Sequence, residues 1–464
     1  MPETRKRISR REFLQLAGVG GVTMATGATQ PALQANTRHA LDAAGRASHP
    51  WWVRTVDKPT VEFNWDQIKR FDSRSTVRSG FAKYVGEERV EYLGKVAADN
   101  EKRRLQENVS GYTLKDLALR GAVQTQLEEA RVSLSFLGPR RALMPEERGV
   151  SKWSGSLEES ARVVRAAMRH FGAAKVGFIE LNDNTRKLIY SHDPDGKQIV
   201  FEDVTDSSET ETKRVIANKA KWVIVYAVQM SGETLRRAPT VIAEQSTALS
   251  YARGAFIQNQ TQEFIRGLGY QCVGGATVNA LGIAPAFGVL AGLGELSRLN
   301  RLITPEYGPM VRLFFMITDL PLAVDKPIDA GIMEFCRHCK KCAEACPPAA
   351  LSFDDEPTWN TRGQWNNAGH KAYFEDSVKC MTYWREKAGT NCGICFAVCP
   401  FSKKDKAWIH SVTKATIATA PALNGFIRSM DDAFSYGAQK DLEGWWSLDL
   451  PEYGIDTERT TRGD

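Results

Sequence analysis

The chain contains no run of eighteen or more apolar residues, so no membrane-crossing helix is expected from it. It also lacks a strong charge of one sign. The formal net charge is +6, and the first 35 residues supply +3 of it, through Arg5, Lys6, Arg7, Arg10 and Arg11 set against Glu3 and Glu12. The remaining +3 is too mild to suggest a nucleic-acid partner, and no basic stripe with interleaved aromatics stands out. Internal repeats are missing outside two cysteine-bearing segments. What is there is ordinary globular composition, 42% hydrophobic and 25% charged, over 464 residues. That length suggests two or three units, with enough apolar residues for a sizeable core.

The N-terminus reads as a targeting segment. Ser9-Arg10-Arg11-Glu12-Phe13-Leu14-Gln15 matches a twin-arginine signal, and a weakly apolar, glycine-rich stretch follows to about Ala28. Pro31-Ala32-Leu33-Gln34-Ala35 suggests a cleavage region. The alternative is the start of a basic amphipathic helix. Export by this route suits a protein that folds around a cofactor before it leaves the cytoplasm. Export also permits disulfides, but the cysteine spacing described below argues for metal.

Residues 36–150 are polar and aromatic-rich without an assignable motif; His49, Trp51, Trp52 and Trp65 read as packing or surface anchors. Ser156, with Glu159 three positions on, is a capping box. Leu157, Ala161, Val164, Met168 and Phe171 then recur at helical spacing. Strands are expected at 175–180, 222–228 and 311–317, and helices at about 241–268 and 280–299. Gly269 stands where a helix C-terminus wants glycine. The order is that of an α/β or α+β domain, broken by a polar insertion at about 182–214. Residues 321–329 form a proline-containing linker to the cysteine region.

Eight of the nine cysteines fall into two motifs. The first is Cys336-x2-Cys339-x2-Cys342-x3-Cys346-Pro347, and the second is Cys380-x11-Cys392-x2-Cys395-x3-Cys399-Pro400. This cadence is that of two-cluster ferredoxins, in which the fourth cysteine of each run serves the other cluster. Cys336, Cys339, Cys342 and Cys399 are therefore expected to hold one [4Fe–4S] cluster, and Cys380, Cys392, Cys395 and Cys346 the other. Zinc sites rarely show four cysteines in this cadence followed by proline, and disulfides do not explain the duplication. Cys272 is left over and reads as a buried small hydrophobe. Two clusters in series form a one-electron wire, and the rest of the chain is large enough to hold its terminus. The expected organisation is a leader over 1–35, a unit over 36–150, a core over 151–330, a ferredoxin-type domain over 331–400, and a return to the core over 401–464.

At this point the chain resembles the corrinoid-dependent reductive dehalogenases of organohalide-respiring bacteria. The leader and the cysteine motifs carry the resemblance, with Thr304-Pro305-Glu306-Tyr307-Gly308-Pro309-Met310-Val311-Arg312-Leu313 and Asp325-Lys326-Pro327-Ile328-Asp329. Met430-Asp431-Asp432-Ala433 and Tyr436-Gly437-Ala438 add to it. The resemblance covers roughly residues 155–445 and the leader. It implies an α+β fold: a nitroreductase-like core that binds a cobamide in its base-off state, beside a ferredoxin-like module with two [4Fe–4S] clusters. The signature Asp-x-His-x-x-Gly is absent around all seven histidines, so no protein histidine is expected beneath the cobalt.

The resemblance also implies site residues. Tyr251 would be the proton donor, Arg312 its neighbour, Asn279 the third polar group, and Trp384 part of the substrate pocket. The residue types suit the chemistry. Replacing carbon–halogen by carbon–hydrogen takes two electrons and one proton. A phenol is a poor acid near neutrality, and a guanidinium beside it, always charged, stabilises the phenolate. Taken alone, Tyr251 reads as a packed helix tyrosine and Arg312 as an ordinary ion-pair residue. The implied partners are an organohalide, a membrane electron donor and a small integral-membrane anchor protein, with the enzyme on the outer face of the cytoplasmic membrane. A chlorinated ethene or alkane is the expected substrate class. Two other readings compete. An epoxyqueuosine reductase should lack an export signal and carry an RNA-binding surface. A non-enzymatic electron carrier would leave about 300 residues without a task.

Overall fold

The computed structural model describes residues 49–275, 281–403 and 408–455. The leader and Asn279 lie outside the described residues. Three helices come first, α1 (Val77–Val85), α2 (Glu87–Gln106) and α3 (Leu114–Ser133). The core follows as α4 (Leu157–His170), β1 (Lys175–Glu180), β2 (Trp222–Gln229), α5 (Val241–Gly267), β3 (Cys272–Gly274) and α6 (Ala284–Leu290). It closes with β4 (Glu295–Leu296), β5 (Leu302–Ile303) and β6 (Val311–Thr318). Helices α7 (Ile332–Cys339), α8 (Ser377–Tyr383) and α9 (Asn424–Ala433) belong to the cysteine region and its return.

The central sheet has the order β1-β2-β6-β3, and every pairing in it is antiparallel. Strand β2 reads as an unbroken apolar run because both its faces are covered. Ile224, Tyr226 and Val228 pack against Val164 and Met168 of α4 and Ile257 of α5. Val223 and Val225 pack the other way, with Phe287 of α6, Phe335 of α7, Tyr373 and Phe401. The ferredoxin-type segment therefore shares a core with the sheet. Of the expected capping box at α4 the N-cap half forms, with Ser156 Oγ accepting the Glu159 N–H at 3.2 Å, while the hydroxyl donates to Glu158 at 3.0 Å.

Three regions differ from the sequence expectation. The helix expected over 280–299 is confined, among the described residues, to Ala284–Leu290. Gly292 turns the chain at φ +70°, where an added Cβ would stand 2.3 Å from the Lys326 carbonyl oxygen. Gly292 and Gly294 serve a turn and a close backbone approach rather than a continued helix, and the β4–β5 hairpin follows. The insertion builds a small sheet of Gln198–Glu202, Ser208–Glu209 and Lys213–Ala217. The linker contributes Ile328–Asp329, which pairs antiparallel with Arg54–Thr55. Residues N-terminal to the core have a definite task. Val123, Leu127 and Ala130 of α3 lie on Ala248, Ala252 and Ala255 of α5, and Val77 and Phe81 of α1 meet Met381 of α8. Trp52 is buried, Trp51 is exposed, and Trp65 stacks on Phe63.

Candidate active site

Helix α5 begins at Thr240, whose hydroxyl oxygen accepts the Ala243 N–H at 3.3 Å. Its first three turns set Glu244, Thr247, Ala248 and Tyr251 along one cavity of about 670 Å³. Steps of three and four residues place such side chains on a single helix face. Strand β6 adds Val311, Arg312 and Leu313 to the wall. Ile283, Ala284, Pro285, Val289 and Leu302 make it apolar elsewhere, and the cysteine loops contribute Cys346, Cys380, Trp384, Cys392, Cys395 and Phe396. The volume lies in the upper part of the range for ligand and cofactor sites.

Tyr251 and Arg312 meet in this wall. The Arg312 guanidinium lies 5.4 Å from the centre of the Tyr251 ring and 5.5 Å from that of Phe396. Its Nη2 donates to Thr247 Oγ1 at 3.0 Å, and its Nε is buried without an acceptor among the described residues. Burial pulls the Arg312 pKa down, Tyr251 and Cys395 push it back up, and Arg301 adds to the lowering. An arginine tolerates this without losing its charge. Tyr251 is held by its ring, edge-on to Phe314 at 5.9 Å. Phe314 in turn stacks on Tyr226, whose hydroxyl donates to the Gly254 carbonyl at 2.7 Å. Gly254 is required at that crossing, since a Cβ there would stand 2.2 Å from the Phe314 ring.

Trp384 also lines the cavity, and its buried Nε1 has no acceptor among the described residues. His370 stands in the same wall with its ring packed against Phe63 and Phe374. Burial pushes its pKa down to about 4, so it stays neutral at physiological pH. Thr247 was not legible as a functional residue. Its signal is its place one turn before Tyr251, on a helix whose face toward α3 is alanine-rich.

The eight motif cysteines divide evenly in space. Cys346 shares the cavity wall with Cys380, Cys392 and Cys395, while Cys336, Cys339, Cys342 and Cys399 stand behind it in the buried core. Burial pushes the thiols of Cys336, Cys339 and Cys392 up to about 11, and those of Cys342, Cys395 and Cys399 higher. Thiolates in such a setting need a metal to hold them deprotonated. Cys272 lies in the apolar core away from this cavity, and burial raises its thiol far above the usual range.

The remaining motif residues hold these parts in place. Both Glu306 carboxylate oxygens accept from Lys175 Nζ, at 2.6 and 2.7 Å, and Lys175 and His49 hold the Glu306 carboxyl well below its usual range against burial. Gly308, at φ +60°, lies against the Phe401 backbone, so the turn before β6 is clamped between core and cysteine region. Asp325 pairs with buried Arg165 at 3.1 Å. Asp431 receives Lys341 and Lys403, Asp432 receives Arg428, and Arg428 Nε donates to the Cys339 carbonyl at 2.6 Å.

Comparison with known proteins agrees with this architecture. Residues 48–322 match the family described as reductive dehalogenase subunit, and residues 335–402 match the 4Fe-4S double cluster binding domain. The trichloroethene reductive dehalogenase of Dehalococcoides mccartyi is 29% identical, over 97% of this chain and 98% of its own length. The tetrachloroethene reductive dehalogenase of Sulfurospirillum multivorans is 37% identical over 65% of this chain and 61% of its own length. An epoxyqueuosine reductase from Lactococcus garvieae is 32% identical, but over only 26% of this chain. Among solved structures, the catabolic reductive dehalogenase NpRdhA superposes with a TM-score of 0.62 at 26% identity, covering 83% of this chain. This chain spans about half of that structure's length, 48%. With a family match that takes in its sheet, its Tyr251–Arg312 wall and, through the second domain, its cysteine loops, the chain belongs to the reductive dehalogenase family.

Proposed function

We propose that this protein is a respiratory reductive dehalogenase that replaces a halogen of a small organohalide, a chlorinated ethene or alkane, by hydrogen. One observation carries the reading: Tyr251 and Arg312 share a cavity wall with four motif cysteines. A proton source and an electron source thus border the same space. The trichloroethene and tetrachloroethene enzymes among the relatives, together with the apolar lining, support a small uncharged substrate. Cys336, Cys339, Cys342 and Cys399 are the proposed ligands of one [4Fe–4S] cluster, and Cys346, Cys380, Cys392 and Cys395 those of the other.

The cavity residues fit a cobamide. The walls are largely apolar, and Arg312 Nε and Trp384 Nε1 are buried donors with no acceptor among the described residues. A cobamide held there supplies a cobalt centre able to pass electrons to a carbon–halogen bond. The chain's own residues do the rest. Tyr251 donates the single proton from its hydroxyl, Arg312 stabilises the phenolate left behind, and Thr247 fixes the guanidinium. Asn279 is proposed as a further polar group. Trp384 closes the substrate end of the cavity and excludes water.

The twin-arginine leader supports export to the outer face of the cytoplasmic membrane. No helix among the described residues is long and apolar enough to cross a membrane. A small integral-membrane anchor protein and a membrane electron donor are the proposed partners. Metal analysis of the purified protein tests the cofactor reading, with one cobamide per eight irons expected. Iron without cobalt removes the cobamide from the proposal. Chloride release from a panel of chlorinated ethenes and alkanes, with a reduced viologen as donor, tests the activity.

A further inference from the structure

The β4–β5 hairpin carries five residues in its turn, Ser297-Arg298-Leu299-Asn300-Arg301. This turn reaches between the two groups of cysteines and offers one arginine to each. Arg298 is 1% exposed, and among the described residues its guanidinium donates to backbone carbonyls alone: Cys336 (2.8 and 2.9 Å), Ser352 (2.8 Å), Asp354 (2.7 Å) and Arg337 (3.4 Å). It also lies 4.0 Å over the Tyr373 ring. Among the described residues no carboxylate forms an ion pair with it. Arg301 differs. It pairs at 2.7 Å with Glu375, a buried carboxylate in the cavity wall whose charge reaches Cys380 and Cys395.

An uncompensated positive charge stabilises the reduced, more negative state of a neighbouring cluster, and a carboxylate opposes it. We propose that Arg298 separates the reduction potentials of the two clusters: uncompensated, it raises the one at Cys336, while the cluster that borders the cavity keeps the lower potential because Glu375 neutralises the Arg301 beside it. The cluster at the cavity is then the stronger reductant of the two. The inference rests on the double-cluster domain and on the ligand sets proposed above.

The other charges near Cys336 do not cancel this asymmetry. Lys341, Lys403 and Arg428 are closed into pairs with Asp431 and Asp432. Glu295, at the start of the same hairpin, is the opposing carboxyl. It accepts the Ala330 N–H at 2.7 Å and the Ile332 N–H at 3.1 Å, and burial pushes it toward its neutral form. Arg298 and Glu375 are positioning residues, since each acts on the potential of a cluster through its charge or its partner's.

The test is an anaerobic redox titration of the full holoprotein, followed by electron paramagnetic resonance. Dithionite supplies one electron per cluster, and no organohalide is present. Two separated one-electron steps are expected. Arg298→Gln should move the upper step down by a factor of ten in its equilibrium, about 59 mV for one electron, and leave the lower step in place. Arg298→Lys should keep the upper step. Glu375→Gln, which keeps the side-chain shape, should move the lower step up by a similar factor. If Arg298→Gln fails to retain eight irons, Glu375→Gln and Arg298→Lys decide. An unmoved lower step in Glu375→Gln, or both variants shifting the same step, overturns the proposal. A protein that shows these shifts but releases no halide keeps this inference and loses the dehalogenase reading.

Discussion

Replacing Tyr251 by phenylalanine removes one oxygen atom and little else. The ring keeps its edge contact with Phe314 at 5.9 Å and its place 5.4 Å from the Arg312 guanidinium. Among the described residues the hydroxyl has no hydrogen-bond partner, so no buried group is left unmatched by its removal. The folding cost should stay within about 0.5 kcal/mol, as for substitutions away from packing or hydrogen-bond features. The catalytic cost is of another size. Losing a positioned general acid lowers rates about 10²- to 10⁴-fold, roughly 3 to 5 kcal/mol in the barrier. The assay is halide release with reduced viologen as donor, run beside thermal unfolding and iron and cobalt analysis. Halide release should collapse while the unfolding temperature and metal content hold. Normal turnover would remove Tyr251 from the mechanism. Equal loss of activity, stability and cobalt would show that the residue only shapes the cavity.

Thr247→Val should take from Arg312 the one side-chain acceptor it has among the described residues and leave its buried Nη2 as well as its Nε unmatched there. The expected cost is about 1–3 kcal/mol in stability, read by unfolding, with a parallel fall in halide release. A fully active, equally stable variant would show that Thr247 does not position Arg312. Gly254→Ala should destabilise by about 1–3 kcal/mol of overpacking against Phe314, exceeding the roughly 1 kcal/mol that alanine adds to a helix. A rise in thermal midpoint would contradict the crossing geometry. His370 has a native pKa near 4 against 6.5 unfolded. The unfolded chain therefore binds the proton first, and stability is full above pH 6.5 and falls as the pH drops toward 4. The loss amounts to roughly 3 kcal/mol at most. His370→Phe should flatten that acid limb in pH-dependent unfolding, and an unchanged limb would assign the acid sensitivity to other groups.

The cysteine cadence was legible because a cubane imposes its spacing on local sequence. Two-residue gaps and a closing Cys-Pro need no knowledge of the rest of the fold. The sheet strands were equally plain, since β2 is apolar through and through when covered on both faces. The helix expected over 280–299 was misread because a glycine looks the same in sequence whether it allows helices to touch or turns the chain at φ +70°. Arg298 and Arg301 gave no signal of their different settings, because an arginine among carbonyls and an arginine in an ion pair are the same letter.

Sequence alone determined the two-cluster motif and most of the order of strands and helices, which depend on neighbours along the chain. Tertiary structure decided which groups face one another. It set Thr247 against Arg312, put Cys346 beside the three cysteines of the other motif, and placed Arg298 and Arg301 on opposite sides of one hairpin turn. These relations join residues tens to hundreds of positions apart, and they arise from the packing of the sheet, α5 and the cysteine loops around one cavity.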